Sequence, residues 1–380
     1  MASRRARKKA IKKAKKHPFL TLFIIIILVG AIVGCCFLHK NKIIHIPFLD
    51  KWIPQDQADI ITDELQIHFL ELGNDRTGDC TLIKTGNVEV LIDAGSRKGS
   101  AGTIVPYIER YCTDGVLEYV VATHAHQDHI AAFVGTSEFD GIFESFVCET
   151  IIDFPKTEST SQIYKDYVAH RTAEVESGAK HYTALECWKG ENGAKRSYTL
   201  AEEITLNILY QEFYEKDASD ENDYSVCTLL SQGNNHYLFT GDLEAEGEAS
   251  LLKENDLPKC KLFKAGHHGS ISSSSEALLA VIQPEIVCVC CCCGNMEYAT
   301  NPLNDFPSQA FVDKVAPYTD KIYVTSIVAD NSDGFTSMNG NIIIKSNGGE
   351  ITVDCSNNNV LFKDTEWFKA NRELPTAWKS

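Results

Sequence analysis

Three histidines and one aspartate stand close together in the segment Thr123–His129. The segment follows an apolar run that predicts a strand buried on both faces. Residues two apart point the same way as they leave a strand, so His124 and His126 can share one metal ion. Asp128 and His129, in the turn beyond, can face a second ion about 3.5–4 Å from the first. A solvated histidine-rich loop is the alternative, and the adjoining apolar strand argues against it.

Two metal ions need further ligands, and suitable side chains follow other predicted strands. Asp242 lies just past one strand, where its carboxylate can bridge both ions. His267 and His268 lie at the end of another, and one is expected to bind metal while the other supports it. The sequence leaves open which is which. Asp93 ends a third strand and is a candidate for orienting a metal-bound histidine.

Together these residues resemble the motifs of the metallo-β-lactamase superfamily. Asp93 stands at the first motif, His124–His129 form the His-x-His-x-Asp-His motif, Asp242 is the bridging acid, and His267–Ser270 form the last motif. The resemblance extends to one branch, the hydrolase domain of the DNA-uptake protein ComEC and its standalone relatives. It covers about residues 65–355, and its further segments are Phe69–Gly73, Gly78–Ile83 and Asn222–Val226.

The resemblance implies a dinuclear site with two divalent ions. Zinc is the expected metal for a mixture of His and Asp ligands, with manganese or iron as alternatives. Asp128 and His268 are the predicted catalytic residues. Lys264 and Ser270 lie beside the site and could contact a phosphate, although a strand-edge lysine and a turn serine are the plainer interpretations.

The sequence departs from the superfamily pattern at two places. The third histidine of the first metal site is missing, and Asn222 and Ser225 stand there instead, as in the ComEC-like branch. His170 and His181 are weaker candidates for that ligand. Pro302 is preceded by Asn301 where relatives often have a histidine, which leaves a substrate-contacting or acid role there in doubt.

Alternating strands and helices predict an α/β fold, the αββα sandwich of two mixed sheets, over residues 63–356. Residues 141–220 are the least regular part and are interpreted as an insertion beside the active site. In it we expect a strand over Phe143–Phe154 and one long polar helix from Ser161 to about Trp188. Residues 357–380 are a C-terminal tail.

The N-terminal region predicts a membrane anchor. Residues 1–17 are basic, and 18–38 form a run of 21 residues without a charge, long enough to cross a bilayer as a helix. The positive-inside rule then places the N-terminus in the cytoplasm and the domain outside, after a connector over 39–62. A cleaved signal peptide, with lipidation at Cys35, is the alternative.

Charge is distributed very unevenly along the chain. Eleven of the 36 basic residues precede residue 43, where there is no acid, so the remainder holds 25 basic against 52 acidic residues, a charge of −27. A domain this acidic excludes nucleic-acid binding through a general basic face. The resemblance implies a phosphodiester substrate, and the acidic charge favours a small molecule or headgroup, hydrolysed by water activated between the two metals. A nuclease acting on DNA and a non-catalytic metal-binding envelope protein are the alternatives.

The fourteen cysteines would suggest disulfides in an exported chain. Five of them crowd into Ile286–Cys293, which instead predicts a buried strand where cysteine acts as a small hydrophobe. Metal chelation by this run is less favoured, because neighbours on a strand point to opposite faces.

Overall fold

The computed structural model describes residues 64–329 and 334–379. The predicted membrane segment 18–38 lies outside these residues. Within the described part of the chain, no helix combines the length and the apolar composition that crossing a bilayer requires.

Two eight-stranded mixed sheets form the body of the fold, as the sequence predicts. The sixteen strands are β1 Leu65–Phe69, β2 Thr81–Thr85, β3 Val88–Ile92, β4 Val116–Val121, β5 Val147–Asp153, β6 Lys180–Thr183, β7 Ser197–Ala201, β8 Ile204–Ile208, β9 Thr228–Gln232, β10 Asn235–Phe239, β11 Leu262–Lys264, β12 Ile286–Cys293, β13 Ile322–Val328, β14 Phe335–Ser337, β15 Ile342–Ser346 and β16 Ile351–Cys355. The helices are α1 Ala101–Ile108, α2 Gln127–Ile130, α3 Ile142–Ser145, α4 Gln162–Ser177, α5 Ala184–Lys189, α6 Ala245–Glu254, α7 Glu276–Ile282, α8 Gln309–Val315 and α9 Glu366–Asn371.

Each sheet has an antiparallel part and a parallel part. The first sheet has the order β16-β15-β1-β2-β3-β4-β5-β6, with parallel pairing from β3 to β6. The second has the order β14-β13-β12-β11-β10-β9-β8-β7, with parallel pairing from β10 to β13. The carboxyl ends of β3 and β4 are therefore neighbours in one sheet, and those of β10 and β11 are neighbours in the other.

One apolar core lies between the sheets, and a second covers the outer face of the second sheet. The cysteine-rich strand β12 contributes to both. Cys288 and Cys290 belong to the core between the sheets, while Cys291 and Cys293 belong to the core on the outer face of the second sheet. The side chains of β12 thus point alternately to the two faces of the sheet, as expected of a strand. Burial raises the pKa of these thiols well above the ordinary value.

Residues 141–220 differ from the sequence-based expectation. The strand predicted over Phe143–Phe154 is wrong at its start, because the first of these residues lie in the helix α3. The strand that forms is β5. The predicted single helix ends at Gly178, whose φ of +122° favours glycine, and is followed by β6 and α5. Segment 147–208 supplies two strands to each sheet, so it is built into the sandwich and is not a separate domain.

Candidate metal centre

The histidine-rich segment leaves the carboxyl end of β4 and enters the short helix α2. His126 is the residue before the helix, and Asp128 and His129 lie in its single turn. His124 Nε2 and His126 Nδ1 are 3.0 Å apart. Two nitrogens that bind one zinc ion at about 2.0–2.1 Å would lie roughly 3–3.5 Å apart. This pair therefore has the spacing of two ligands of one ion.

A second group of donors converges on Asp242. Its Oδ2 is 3.0 Å from His129 Nε2, 3.1 Å from His268 Nε2 and 4.0 Å from His267 Nε2. Asp128 Oδ2 lies 3.5 Å from His268 Nε2. The structure thus brings together residues from strand ends in both sheets, and these residues include all seven predicted metal ligands.

The buried imidazoles of His129 and His268 are each held by a contact at Nδ1. His129 Nδ1 lies 2.8 Å from Asp93 Oδ2, and Asp93 also accepts hydrogen bonds from the backbone N–H and the hydroxyl of Thr123, each at 2.8 Å. His268 Nδ1 lies 2.8 Å from the carbonyl oxygen of Cys290. With Nδ1 engaged in this way, Nε2 of each ring is left to face a metal.

His267 and His268 differ in environment. His268 is fully buried, whereas His267 is half-buried and lines a groove. His267 Nδ1 lies 3.2 Å from Glu244 Oε1 and 3.2 Å from Ser272 Oγ. Both histidines have a left-handed backbone, with φ of 45° and 53°. This conformation is unfavourable for residues other than glycine, so contacts elsewhere in the fold must stabilise the turn.

Asp79 belongs to the site although sequence reasoning gave it no role. Its carboxylate is buried behind the two imidazoles, with Oδ1 at 3.2 Å from His268 Nδ1 and Oδ2 at 3.8 Å from His129 Nδ1. Lys264, also buried, forms an ion pair with Asp79 and lies 3.6 Å from Asp242 Oδ1. The signals in the sequence were its place in Gly78–Ile83, a segment that carries the resemblance, and its position just before a predicted strand.

The other predicted site residues occupy supporting positions. Ser225 Oγ accepts a hydrogen bond from the Asp242 backbone N–H at 3.1 Å and lies 3.4 Å from His124 Nδ1. Asn222 donates to Glu244, and Ser270 contacts Ser272. Ser225, in the place of the missing third histidine, thus contacts two of the predicted ligands, Asp242 and His124.

His170 and His181 are not brought to this cluster. His170 Nδ1 is 2.7 Å from Glu144, and His181 Nε2 is 2.8 Å from Asp153. Both of these acids lie outside the group that converges on Asp242.

Charge in the cluster is arranged to hold cations. Burial lowers the pKa of His129 and His268, but Asp242 and other nearby carboxylates outweigh burial and hold both pKa values well above the ordinary value. Burial raises the pKa of Asp242, yet the same imidazoles and Lys264 outweigh it and hold this pKa well below the ordinary value. In the protein alone, protons on the imidazoles would balance the carboxylates, and a metal ion would displace them.

The donor set fits divalent metal ions. His129 Nε2, His268 Nε2 and Asp242 Oδ1 are buried and make no hydrogen bond with any described residue. Buried polar atoms without partners are costly, and a metal ion would satisfy these atoms together. Imidazole with carboxylate is a donor set that suits zinc.

A groove of about 550 Å³ opens above the cluster. His126, Asp128 and His267 line it, with Tyr298 and Phe306 also among its lining residues. Asp220 and Glu221 add negative charge, and none of its lining side chains in the described residues is Lys or Arg.

Known proteins share the sequence segment that carries the histidine-rich motif. The sequence model described as the metallo-beta-lactamase superfamily matches residues 73–135, which include Asp93 and the segment His124–His129. This part of the chain thus matches the sequence model of a metallo-β-lactamase domain. A solved metallo-beta-lactamase fold protein, YhfI from Bacillus subtilis, is 11% identical, with a TM-score of 0.42, and the match covers 75% of this chain and all of that one.

Curated relatives confirm the resemblance of this metallo-β-lactamase domain to the ComEC-like branch. Recombination protein 2 of Haemophilus influenzae is 27% identical over 230 residues, which are 59% of this chain and 24% of that protein. ComE operon protein 3 of Bacillus subtilis is 26% identical over 174 residues, 46% of this chain and 20% of that protein. The chain thus spans about a quarter or less of the length of these relatives.

Proposed function

We propose that the protein is a membrane-anchored, extracytoplasmic hydrolase that uses two divalent metal ions to cleave a phosphodiester. One observation carries this proposal: His129 Nε2, His268 Nε2 and Asp242 Oδ1 are buried, converge on one point and have no hydrogen-bond partner among the described residues, and Asp242 lines an open groove. A site built only for stability would satisfy these atoms with each other. Here the two imidazole nitrogens lie 3.0 and 3.1 Å from Asp242 Oδ2 without the alignment of a hydrogen bond, which is the arrangement expected of donors around a metal ion.

The positions of the residues suggest a separate role for each. His124 and His126 would hold one ion, His129 and His268 the other, and Asp242 would reach both. When bound, the ions supply Lewis acidity and lower the pKa of water. Asp128 lines the groove with its Oδ2 at 3.5 Å from His268 Nε2, so it can orient the attacking water and accept its proton.

The substrate class follows from the charge of the groove. Asp220 and Glu221 contribute acid, and no lining side chain in the described residues supplies a fixed cation. A long polyanion would be repelled here unless the metals alone attracted it. A small phosphodiester, or a headgroup that also carries a positive charge, suits this lining better.

A second candidate is cleavage of DNA at the cell surface. It is favoured by the relative named Recombination protein 2, with which this chain shares the domain but not the remaining three quarters of the length. The acidic lining of the groove argues against it, and the salt dependence described in the Discussion separates the two candidates.

The test is hydrolysis of bis-p-nitrophenyl phosphate by the purified full chain, together with its metal content. We expect close to two divalent ions per chain, and a fall in kcat of about 100-fold or more in Asp128→Asn, because the amide keeps the shape but cannot accept a proton. His170→Ala is the matched control and should retain both metal and activity. Full activity in Asp128→Asn, or a metal-free wild type, would refute the proposal.

The anchor is tested separately. A reporter that is active only outside the cytoplasm, fused after Ser380, should give signal if residues 18–38 span the membrane with the N-terminus inside. Cys35→Ala distinguishes the alternatives, since only a lipoprotein would change its gel mobility. A reporter active only in the cytoplasm would contradict the proposed topology.

A further inference from the structure

The C-terminal segment after β16 contains a buried arginine. Arg372, at the end of α9, is only 7% exposed. Its guanidinium lies 4.6 Å from the centre of the Trp367 ring. A buried guanidinium is costly unless its donors are all used, so the partners of Arg372 indicate what it is there to hold.

All of those partners but one lie in a single loop. Arg372 donates to the carbonyl oxygens of Pro307 at 2.9 Å, Pro302 at 3.1 Å and Asp305 at 3.0 Å. It also pairs with the Asp305 carboxylate, and its remaining bond goes to Asn371 in its own helix. The guanidinium of arginine presents five donors in a rigid planar fork, whereas lysine has three donors on a single nitrogen and cannot reach all of these acceptors.

The same loop supplies an aromatic lining to the groove. Phe306 lies between the residues that Arg372 holds, and its ring centre is 5.6 Å from that of His267 and 5.7 Å from that of His268. Tyr298 stacks on Phe306 with ring centres 5.9 Å apart. Both aromatic residues line the groove above the metal ligands.

We propose that Arg372 is a positioning residue for the substrate groove, acting through the loop 302–307 and Phe306. The segment 357–379 is then part of the substrate site although no residue of it lines the groove. Gln309 and Glu373 add a second connection through two hydrogen bonds, at 3.1 Å and 2.8 Å. This inference rests on the proposed hydrolase activity for its kinetic test.

The experiment compares wild type, Arg372→Met, Arg372→Lys and the control Lys369→Met in the full chain. Among the residues that the structure describes, Lys369 pairs with the exposed Glu366 of the same helix and with no other acid. We expect KM for bis-p-nitrophenyl phosphate to rise about 10- to 100-fold in both Arg372 variants, with metal content unchanged and a smaller effect on kcat. Backbone amides of residues 300–309 should exchange hydrogen about tenfold faster or more. Lys369→Met should match wild type in every measurement.

An unchanged KM in Arg372→Lys overturns the inference, even if exchange increases, because the groove would then not depend on the fork of hydrogen bonds. Arg372→Lys keeps the charge beside Asp305, so it decides the matter if Arg372→Met does not fold. Loss of metal without a rise in KM also overturns it. If wild type hydrolyses no phosphodiester, the proposed function fails, and unchanged exchange in residues 300–309 of Arg372→Lys would overturn the positioning role independently.

Discussion

The histidines of the site differ in which ring nitrogen is left for a metal. His129 and His268 are held at Nδ1, which leaves their buried Nε2 atoms available to a metal. His126 instead presents Nδ1 toward His124 Nε2. Asp93 accepts hydrogen bonds while its own backbone is left-handed, with φ of 61°. A non-glycine residue in this conformation marks a position where the fold accepts strain in order to aim a side chain.

At this scale, Asp79→Asn should weaken metal binding without removing a ligand. The carboxylate lies at the Nδ1 side of His129 and His268, where it raises their basicity, and an amide would not. We expect metal affinity to fall about 10- to 100-fold, measured by competition with a chelator.

The control for Asp79→Asn is Glu89→Gln. Glu89 also forms a buried ion pair with a lysine, Lys84, but on a strand pair away from the metal cluster. Equal metal affinity in Asp79→Asn and wild type would show that Asp79 does not tune the imidazoles.

Strand ends are the elements that build the site. Asp93 follows β3, the His124–His129 segment follows β4, Asp242 follows β10, and His268 follows β11. Each pair of strands is parallel, so the two carboxyl ends meet at one edge of each sheet. Packing of the two sheets then brings both edges to one centre.

An element far from the centre makes stability depend on pH. His68 on β1 is fully buried, with Nδ1 at 2.8 Å from the hydroxyl of Tyr107 on α1. Burial, and then nearby positive charges, lower its pKa from 6.5 to about 3. Between these two values the unfolded chain binds more protons, so the free energy of unfolding should fall as pH falls below 6.5, by up to about 1.4 kcal/mol per pH unit.

Urea denaturation at pH 7 and pH 5 checks this. The loss in wild type should exceed that in His68→Gln by roughly 2 kcal/mol, because the variant has no group to protonate there. Equal pH dependence in His68→Gln and wild type would contradict the role given to His68.

Two parts of the chain carry net charges of opposite sign, +11 before residue 43 and −27 over the rest of the sequence. The negative potential of the domain repels polyanions over about one Debye length, roughly 10 Å at 0.1 M salt. Hydrolysis of a small phosphodiester should therefore change less than about twofold between 50 and 300 mM salt, since little charge is brought together.

Cleavage of single-stranded DNA should be weak at low salt and should increase as salt or Mg²⁺ screens the repulsion. Initial rates on both substrates across the same salt range provide the comparison. Strong DNA cleavage at 50 mM salt would favour the second candidate and show that the metal centre overrides the surface charge.

The local features of this protein could be predicted from its sequence. Strand periods, the turn between β9 and β10, and the position of the histidine segment after β4 depend on residues near one another in the chain. The superfamily motifs supplied the predicted metal ligands from such segments. Local patterns failed where a helix and a strand compete: the polar stretch around Gly178 resembles a helix, but pairing with β5 makes part of it a strand.

The tertiary structure decided which distant residues meet. Asp79 and Lys264 are separated by 185 positions, and Arg372 and Asp305 by 67, so no local period could pair them. Their contacts exist because two sheets and a C-terminal helix pack in one particular way. Burial then makes each ion pair obligatory, since an unpaired charge in the interior is too costly to retain. The free nitrogens of His129 and His268 have the same origin, because only packing determines which face of a ring is engaged.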